Sequence, residues 1–220
     1  MTSTSVHVMV VGDAAVGKTT LLHCYASKGF TNPYIVPVFD EYPIEVHSKE
    51  AGEKLINLYL TDARALDRHQ TLRLHSYRRR DIFLICFSIA DKKSLRSAKN
   101  VWFKEIKQHM PGTPVILVGT KSDLRKATGG GQTQLRLVPT RKAKEKAKFM
   151  GAEAYIECSG WLLFRFDDCF FLKSRLAYTQ SNVESLFQLA VDVVLAKKEA
   201  EKAAEEKASE EKPKRKWSCV

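Results

Sequence analysis

The stretch Gly12-Asp13-Ala14-Ala15-Val16-Gly17-Lys18-Thr19 constrains this chain more than any other, because it fills the G-x-x-x-x-G-K-[ST] spacing of a phosphate-binding loop. Val6, Val8, Val10 and Val11 ahead of it predict a buried strand, and Thr20-Leu21-Leu22 behind it opens an amphipathic helix. Strand, loop and helix form the context the motif requires. Backbone N–H groups of such a loop converge with the positive end of the helix dipole on a polyphosphate. Lys18 is expected to reach the outer phosphates and the Thr19 hydroxyl to ligate Mg²⁺. The expected phosphate-side contacts are therefore Asp13, Ala14, Ala15, Val16, Gly17, Lys18, Thr19 and Thr20.

Downstream, the pattern predicts a helix over 19–28, a surface loop over 30–42 with Pro33 and Pro37, and a hairpin formed by 43–48 and 54–60. Asp62 follows the second hairpin strand, where a partner of Mg²⁺ belongs. Strands over 81–89, 114–118 and 153–158 alternate with helices over 92–109, with Leu95, Ala98, Trp102, Phe103 and Ile106 on one core-facing side, and over 183–198, which implies crossover units and a mostly parallel sheet covered on both faces. Thr120-Lys121-Ser122-Asp123 falls just past one of these strands, at the ligand-binding edge of such a sheet.

With 220 residues, one well-buried domain and a tail are expected. No leader pattern opens the sequence and no apolar run reaches the roughly eighteen residues of a spanning helix, so the chain is expected inside the cell. Cys24, Cys86 and Cys158, in or beside apolar segments, read as reduced core thiols. The net charge of +11 is concentrated between Arg125 and Lys148, with Glu145 as the only acidic residue set against that cluster. Aromatic residues do not interleave there apart from Phe149 at its end, so bases have no stacking platform and nucleic acid is not an expected partner. The run reads first as a solvated helix face, and otherwise as a surface for an acidic partner or an anionic lipid.

Five separated segments together resemble the Ras superfamily of small GTP-binding proteins and, within it, the Rho family. They are the phosphate loop, Val38-Phe39-Asp40-Glu41-Tyr42, Ser76-Tyr77 with Asp81-Ile82-Phe83-Leu84-Ile85-Cys86-Phe87-Ser88, Val118-Gly119-Thr120-Lys121-Ser122-Asp123-Leu124, and Glu157-Cys158-Ser159. The resemblance covers roughly residues 6–196 and implies a P-loop NTPase fold of the Ras-like kind. That fold is a three-layer α/β/α domain around a six-stranded, mostly parallel sheet with one antiparallel strand. It implies GTP/GDP and Mg²⁺ as cofactors, with Thr19 and Asp62 on the metal side. Phe30 would pack beside guanine, Lys121 would stack on the base, Asp123 would accept from its N1 and N2 groups, and Leu124 and Ser159 would line the base-recognition loops. A carboxylate facing two adjacent donors prefers guanine to adenine. Effectors would read the loop 30–42, and exchange factors and activating proteins are the implied regulators.

The departures from the family pattern fall on hydrolysis. Ala14 replaces the glycine near the attacking water, and its methyl takes up space there. Where the family has Asp-Thr-Ala-Gly-Gln, this chain has Asp62-Ala63-Arg64-Ala65-Leu66. Leu66 at the glutamine position cannot orient a water, so no intact catalytic residue is expected. Ala65 replaces the glycine whose N–H would contact the γ-phosphate, and Pro37 stands at the position of the metal-ligating threonine without a hydroxyl. Slow hydrolysis is the leading reading. A non-catalytic binding module with structural or no nucleotide is the alternative, and a phosphotransferase is weaker because Lys121 and Asp123 fit a purine reader.

Two further segments are anomalous. Residues 160–176 are an aromatic-rich, apolar insertion in the implied base-recognition loop, either a retained segment without a role or an interaction loop. Gly129-Gly130-Gly131 makes the Rho family's insert helix doubtful in this chain. The domain is expected over 1–198 and a charged tail over 199–220, ending in a basic cluster before Cys219. Because Trp217 occupies the fourth position from the end, prenylation by the standard rule is not expected, which leaves palmitoylation or weak electrostatic contact with an anionic membrane at the inner face of the plasma membrane, or else a solvated helical tail with a basic end. Deleting residues 160–176 is expected to leave guanine-nucleotide affinity within about twofold, measured by titration with a fluorescent GDP; a loss of tenfold or more would make the insertion part of the site.

Overall fold

A computed structural model describes residues 4–29, 41–48, 54–63, 70–127, 136–159 and 182–210. Its strands are β1 (Thr4–Gly12), β2 (Glu41–Ser48), β3 (Lys54–Asp62), β4 (Ile82–Ser88), β5 (Val115–Thr120) and β6 (Ala154–Glu157). They form one sheet in the order β2-β3-β1-β4-β5-β6, with only the β2–β3 pair antiparallel. Alternation along the strands explains the two cores. Val6, Val8 and Val10 of β1 face one side with Ile82, Leu84 and Cys86 of β4, while Met9 and Val11 face the other with Phe83, Ile85 and Phe87.

Helices cover both faces. On the first lie α1 (Lys18–Gly29) and α7 (Val183–Glu210), which bring Leu21, Leu22, Leu186, Phe187, Ala190 and Val194 into the core. On the second lie α2 (Gln70–Ser76), α3 (Lys92–Ser97), a π-helical segment (Ala98–Phe103), α4 (Lys104–His109) and α6 (Thr140–Met150), with the short α5 (Leu124–Ala127) after β5. The predicted three-layer α/β/α arrangement is thus observed. Chain order reverses direction across the sheet at β1, so the crevice at its carboxyl end is the switch point where ligands bind in such sheets.

Several boundaries differ from the sequence reading. Glu41 and Tyr42, expected in the loop 30–42, begin β2, and Pro43 sits inside that strand opposite Tyr59. As β2 is the edge of the sheet, a residue without an N–H is tolerated there. The helix expected over 92–109 is continuous but carries an i→i+5 segment at its centre, with Leu95, Ala98, Trp102 and Ile106 buried as expected. α2 had no clear periodicity to announce it. α7 runs twelve residues beyond the expected end at Lys198, although its last buried side chain is Val194. Lys198 closes the packed part by pairing with Asp81 at 2.9 Å and donating to the Ser5 carbonyl at 2.9 Å. Residue 198 therefore marks where packing stops rather than where the helix stops. The turn 49–52, the glycines 129–131, the insertion 160–176 and the basic end with Cys219 lie outside the described residues.

Gly12 ties the sheet to the loop. Its φ is +144°, and a Cβ there would lie 2.3 Å from the Cys86 carbonyl oxygen of the neighbouring strand. Replacing Gly12 by Ala is expected to destabilise the fold by about 1–3 kcal/mol or more, as overpacking does. The measurement is the urea midpoint at unchanged m-value, and an unshifted midpoint would contradict the close approach.

Candidate functional site

The phosphate loop leaves β1 and enters α1 through backbone that ordinary residues seldom adopt. Gly12 and Gly17 have φ of +144° and +103°, and Ala15 lies at +59°. Ala14 is not among the positive-φ residues, so its extra methyl is accepted without left-handed strain. Lys18 is buried, and its ammonium donates to the carbonyls of Gly12 at 2.7 Å and Asp13 at 3.0 Å, holding the charge within the loop. Thr19 donates its hydroxyl to Asp62 Oδ2 at 2.5 Å. This contact follows from register, because β3 places Asp62 beside Val10, two residues before the loop begins. Val16 is buried in the core, whereas Ala14, Ala15 and Thr20 are exposed.

The second half of the site comes from the carboxyl ends of β5 and β6. Thr120 donates its hydroxyl to the Val16 carbonyl at 2.5 Å, and Lys121, at φ +62°, reaches the Ala15 carbonyl with its ammonium at 3.0 Å. Asp123 accepts a hydrogen bond from the buried Ser159 hydroxyl at 2.6 Å. The backbone reinforces that pairing, since Cys158 N–H donates to Gly119 at 2.8 Å and Ser122 N–H to Cys158 at 3.2 Å. Leu124 packs its half-buried side chain against the second core, and its N–H donates to the Lys121 carbonyl. The loop residues, Lys121, Asp123 and Ser159 are thus gathered at one sheet edge. Phe30 and Leu66 lie outside the described residues.

For Mg²⁺ the donor set fits: Thr19 Oγ1 and an Asp62 carboxylate oxygen are hard ligands side by side. Among the described residues no group of three or more His, Cys, Asp or Glu side chains forms a metal cage. A sequence profile of the Ras family matches residues 7–179, which takes in the loop, Asp62, Asp123 and Ser159. The chain belongs to the Ras family. It is also 37% identical over 163 residues to the GTP-binding protein RHO4 of Saccharomyces cerevisiae, a likeness of the Rho type. That match covers 74% of this chain and 54% of the relative, so the chain spans about half of that protein's length. Among the described residues no helix is long and apolar enough to cross a membrane.

Two groups in this Ras-family site escaped the sequence reading. Arg125, counted there with the solvated basic run, is instead bound by Glu157 at 2.5 and 2.8 Å and donates to the Val138 carbonyl at 2.8 Å. Glu157 also accepts from Tyr155 at 2.6 Å and Thr140 at 2.9 Å, so one carboxylate joins β6, α5 and the start of α6 directly behind the base-side loops. The second is Trp102. Its indole N–H donates to Asp13 Oδ1 at 2.7 Å, and the Arg73 guanidinium lies 5.0 Å from its ring centre. Arg73 in turn holds Glu105 at 2.7 and 2.9 Å, and Tyr77 donates to the same carboxylate at 2.6 Å. The phosphate loop is thereby joined to α2 and α4 through the π-helical segment. Neither link carries a local signal, since the partners stand 32 and 89 residues apart.

Burial works to raise the Glu157 and Glu105 carboxyls, but hydrogen bonds from Arg125, Tyr155 and Thr140 to one, and from Arg73 and Tyr77 to the other, leave both below the usual carboxylate range. Burial, followed by the bond each donates to its carboxylate, raises the Tyr155 and Tyr77 phenols. Desolvation lifts the Cys158 thiol to about 12 and the Cys86 thiol further, so both are inert core thiols, as expected from the sequence.

A carboxyl with a depressed folded pKa contributes stability that is complete above its unfolded value, about 4.3, and is lost as pH falls through the folded value. The protein is therefore expected to lose stability on acidification below about pH 4.5, with a shallower slope in Glu157→Gln. Urea midpoints across that range check it, and an unaltered slope would contradict the assignment. Replacing Trp102 by Phe keeps the ring and removes the donor to Asp13, with an expected cost of about 1 kcal/mol. Weaker nucleotide retention should accompany it. A variant identical to the parent in thermal unfolding and nucleotide off-rate would show that the indole bond does not hold the loop.

Proposed function

We propose that this chain is a Rho-type guanine-nucleotide switch that holds GTP and hydrolyses it slowly. The observation that carries the reading is the Asp123 carboxylate held at 2.6 Å by Ser159, on the same sheet edge as an intact phosphate loop. A carboxylate oriented in this way presents a free oxygen to two adjacent donors of guanine, and it rejects adenine by leaving a partly buried charge unpaired. Lys121, anchored on Ala15, lays its aliphatic stem where a purine face stacks. On the phosphate side the loop N–H groups and Lys18 bind, while Thr19 and Asp62 are the oxygens suited to Mg²⁺. Bound Mg²⁺ would supply charge neutralisation at the phosphates.

The departures from the family pattern fall on the residues that direct water. Leu66 has no hydrogen-bonding side-chain atom at the position where the family carries glutamine, and Ala14 brings a methyl group where the family has glycine. Pro37 and Ala65 remove two further contacts to the metal and the γ-phosphate. Effectors are proposed to read the segment 30–42, with exchange factors and activating proteins as regulators and the basic tail as a weak contact with anionic membrane. Single-turnover hydrolysis of bound GTP tests the reading. The expected rate lies about a hundredfold or more below that of a family member retaining the glutamine, the order of effect for a group that positions a nucleophile. Turnover at the ordinary family rate, alone or with an activating protein, would overturn it.

A further inference from the structure

Away from the nucleotide edge, the second helical layer carries a groove of about 310 Å³ between α3 and α6. Its cationic walls are Lys92 and Arg96 on one side and Lys142 and Lys146 on the other, and the exposed Pro139, lying with the buried Leu95 and Val138 at its base, provides apolar surface between them. Asn100 is shared with a second groove of about 660 Å³ that runs on along α4 past Lys99, Phe103, Lys104 and Lys107. Among the described residues no carboxylate lines either groove. The nearby acidic groups are committed elsewhere: Asp91 caps α3 by accepting from Lys93 N–H at 2.8 Å, Glu145 pairs with Arg141 at 3.6 Å, and Glu105 holds Arg73.

We propose that this track is a docking site for an extended acidic segment of a partner protein, one that places apolar side chains between its carboxylates. Charge complementarity gives the sign of the partner, and the shape gives its form. Lys92 and Arg96, like Lys142 and Lys146, are spaced i,i+4, which roots neighbouring cationic side chains in each row about 6 Å apart at their Cβ atoms. Alternate side chains of an extended strand repeat at about 6.6 Å, so successive carboxylates match one row while intervening side chains meet the apolar floor. The helical path from 92 to 108 is about 24 Å long, room for about seven extended residues. A flat bilayer would meet the rims of such a groove and leave its floor wet. A bare phosphate headgroup would have no use for the exposed Pro139.

The test uses the full chain loaded with GDP and a fluorescein-labelled nonapeptide alternating glutamate with leucine, read by fluorescence anisotropy. Binding is expected at low ionic strength and should weaken as salt approaches physiological levels, because most of these charges are solvent-exposed. The double variant R96E/K146E is expected to lose at least tenfold in affinity. K144E, on the same helix but outside the groove, should stay within twofold. Replacing leucine by serine in the peptide should cost several-fold, reporting use of the floor. Thermal unfolding and GDP retention of each variant confirm that its fold is intact. The proposal is overturned if R96E/K146E binds as the parent does, if the serine peptide binds equally well, or if the protein ignores the peptide and instead binds phosphatidylserine vesicles through the same residues.

Discussion

The phosphate loop is a stretch of backbone that would not hold its shape alone, and the end of β5 is what holds it. Gly12, Ala15 and Gly17 occupy left-handed or neighbouring conformations within six residues. Thr120 and Lys121 bind the carbonyls of Val16 and Ala15 from more than a hundred residues away. Lys18 closes the loop from within, and Trp102 fixes Asp13 at its start. Ordering of this kind carries a conformational cost that only surrounding structure can offset. A consequence is that the loop and the proposed purine clamp form one mechanical unit: the strand that braces the loop also delivers Lys121 and Asp123.

That unit bears on the proposed function, in which the chain keeps its ligand-holding half while its hydrolytic half diverges. The bracing contacts run through β1, β5 and β6, all central or on the far side of the sheet from β2. The altered residues Pro37, Ala65 and Leu66 belong to the segments that connect α1 to β2 and β3 to α2. Changes there leave the register that sets Asp62 beside Val10 untouched. Ala14 is the exception, lying inside the loop, and it is accommodated because its backbone does not require glycine.

Much of this was legible before the structure, and the reasons are local. β-branched runs marked the buried strands, and the loop motif placed Thr19 and Lys18. Asp123 and Ser159, each expected on the base side but not as partners, meet in a direct hydrogen bond. Other features had no local signature. Arg125 looked like one more solvated cation, because nothing near it announces that β6 delivers Glu157 to its guanidinium. Trp102 read as a core residue, which it is, but its N–H answers to Asp13 across the fold. The prolines of the loop 30–42 drew Glu41 and Tyr42 into it although they begin the edge strand β2, and the charged end of α7 hid a helix stabilised by pairs such as Lys197 with Glu201 at 3.6 Å.

The central claim is that one braced unit grips both the phosphates and the purine. Its most direct measurement is displacement of a fluorescent guanine nucleotide from the full chain by unlabelled GTP, GDP and ATP in Mg²⁺ buffer. GTP and GDP are expected to compete at comparable, tight concentrations, with ATP at least about a hundredfold weaker, the scale of discrimination that an unpaired polar group imposes. A folded protein that retains no guanine nucleotide, or that accepts ATP as readily as GTP, would contradict the account.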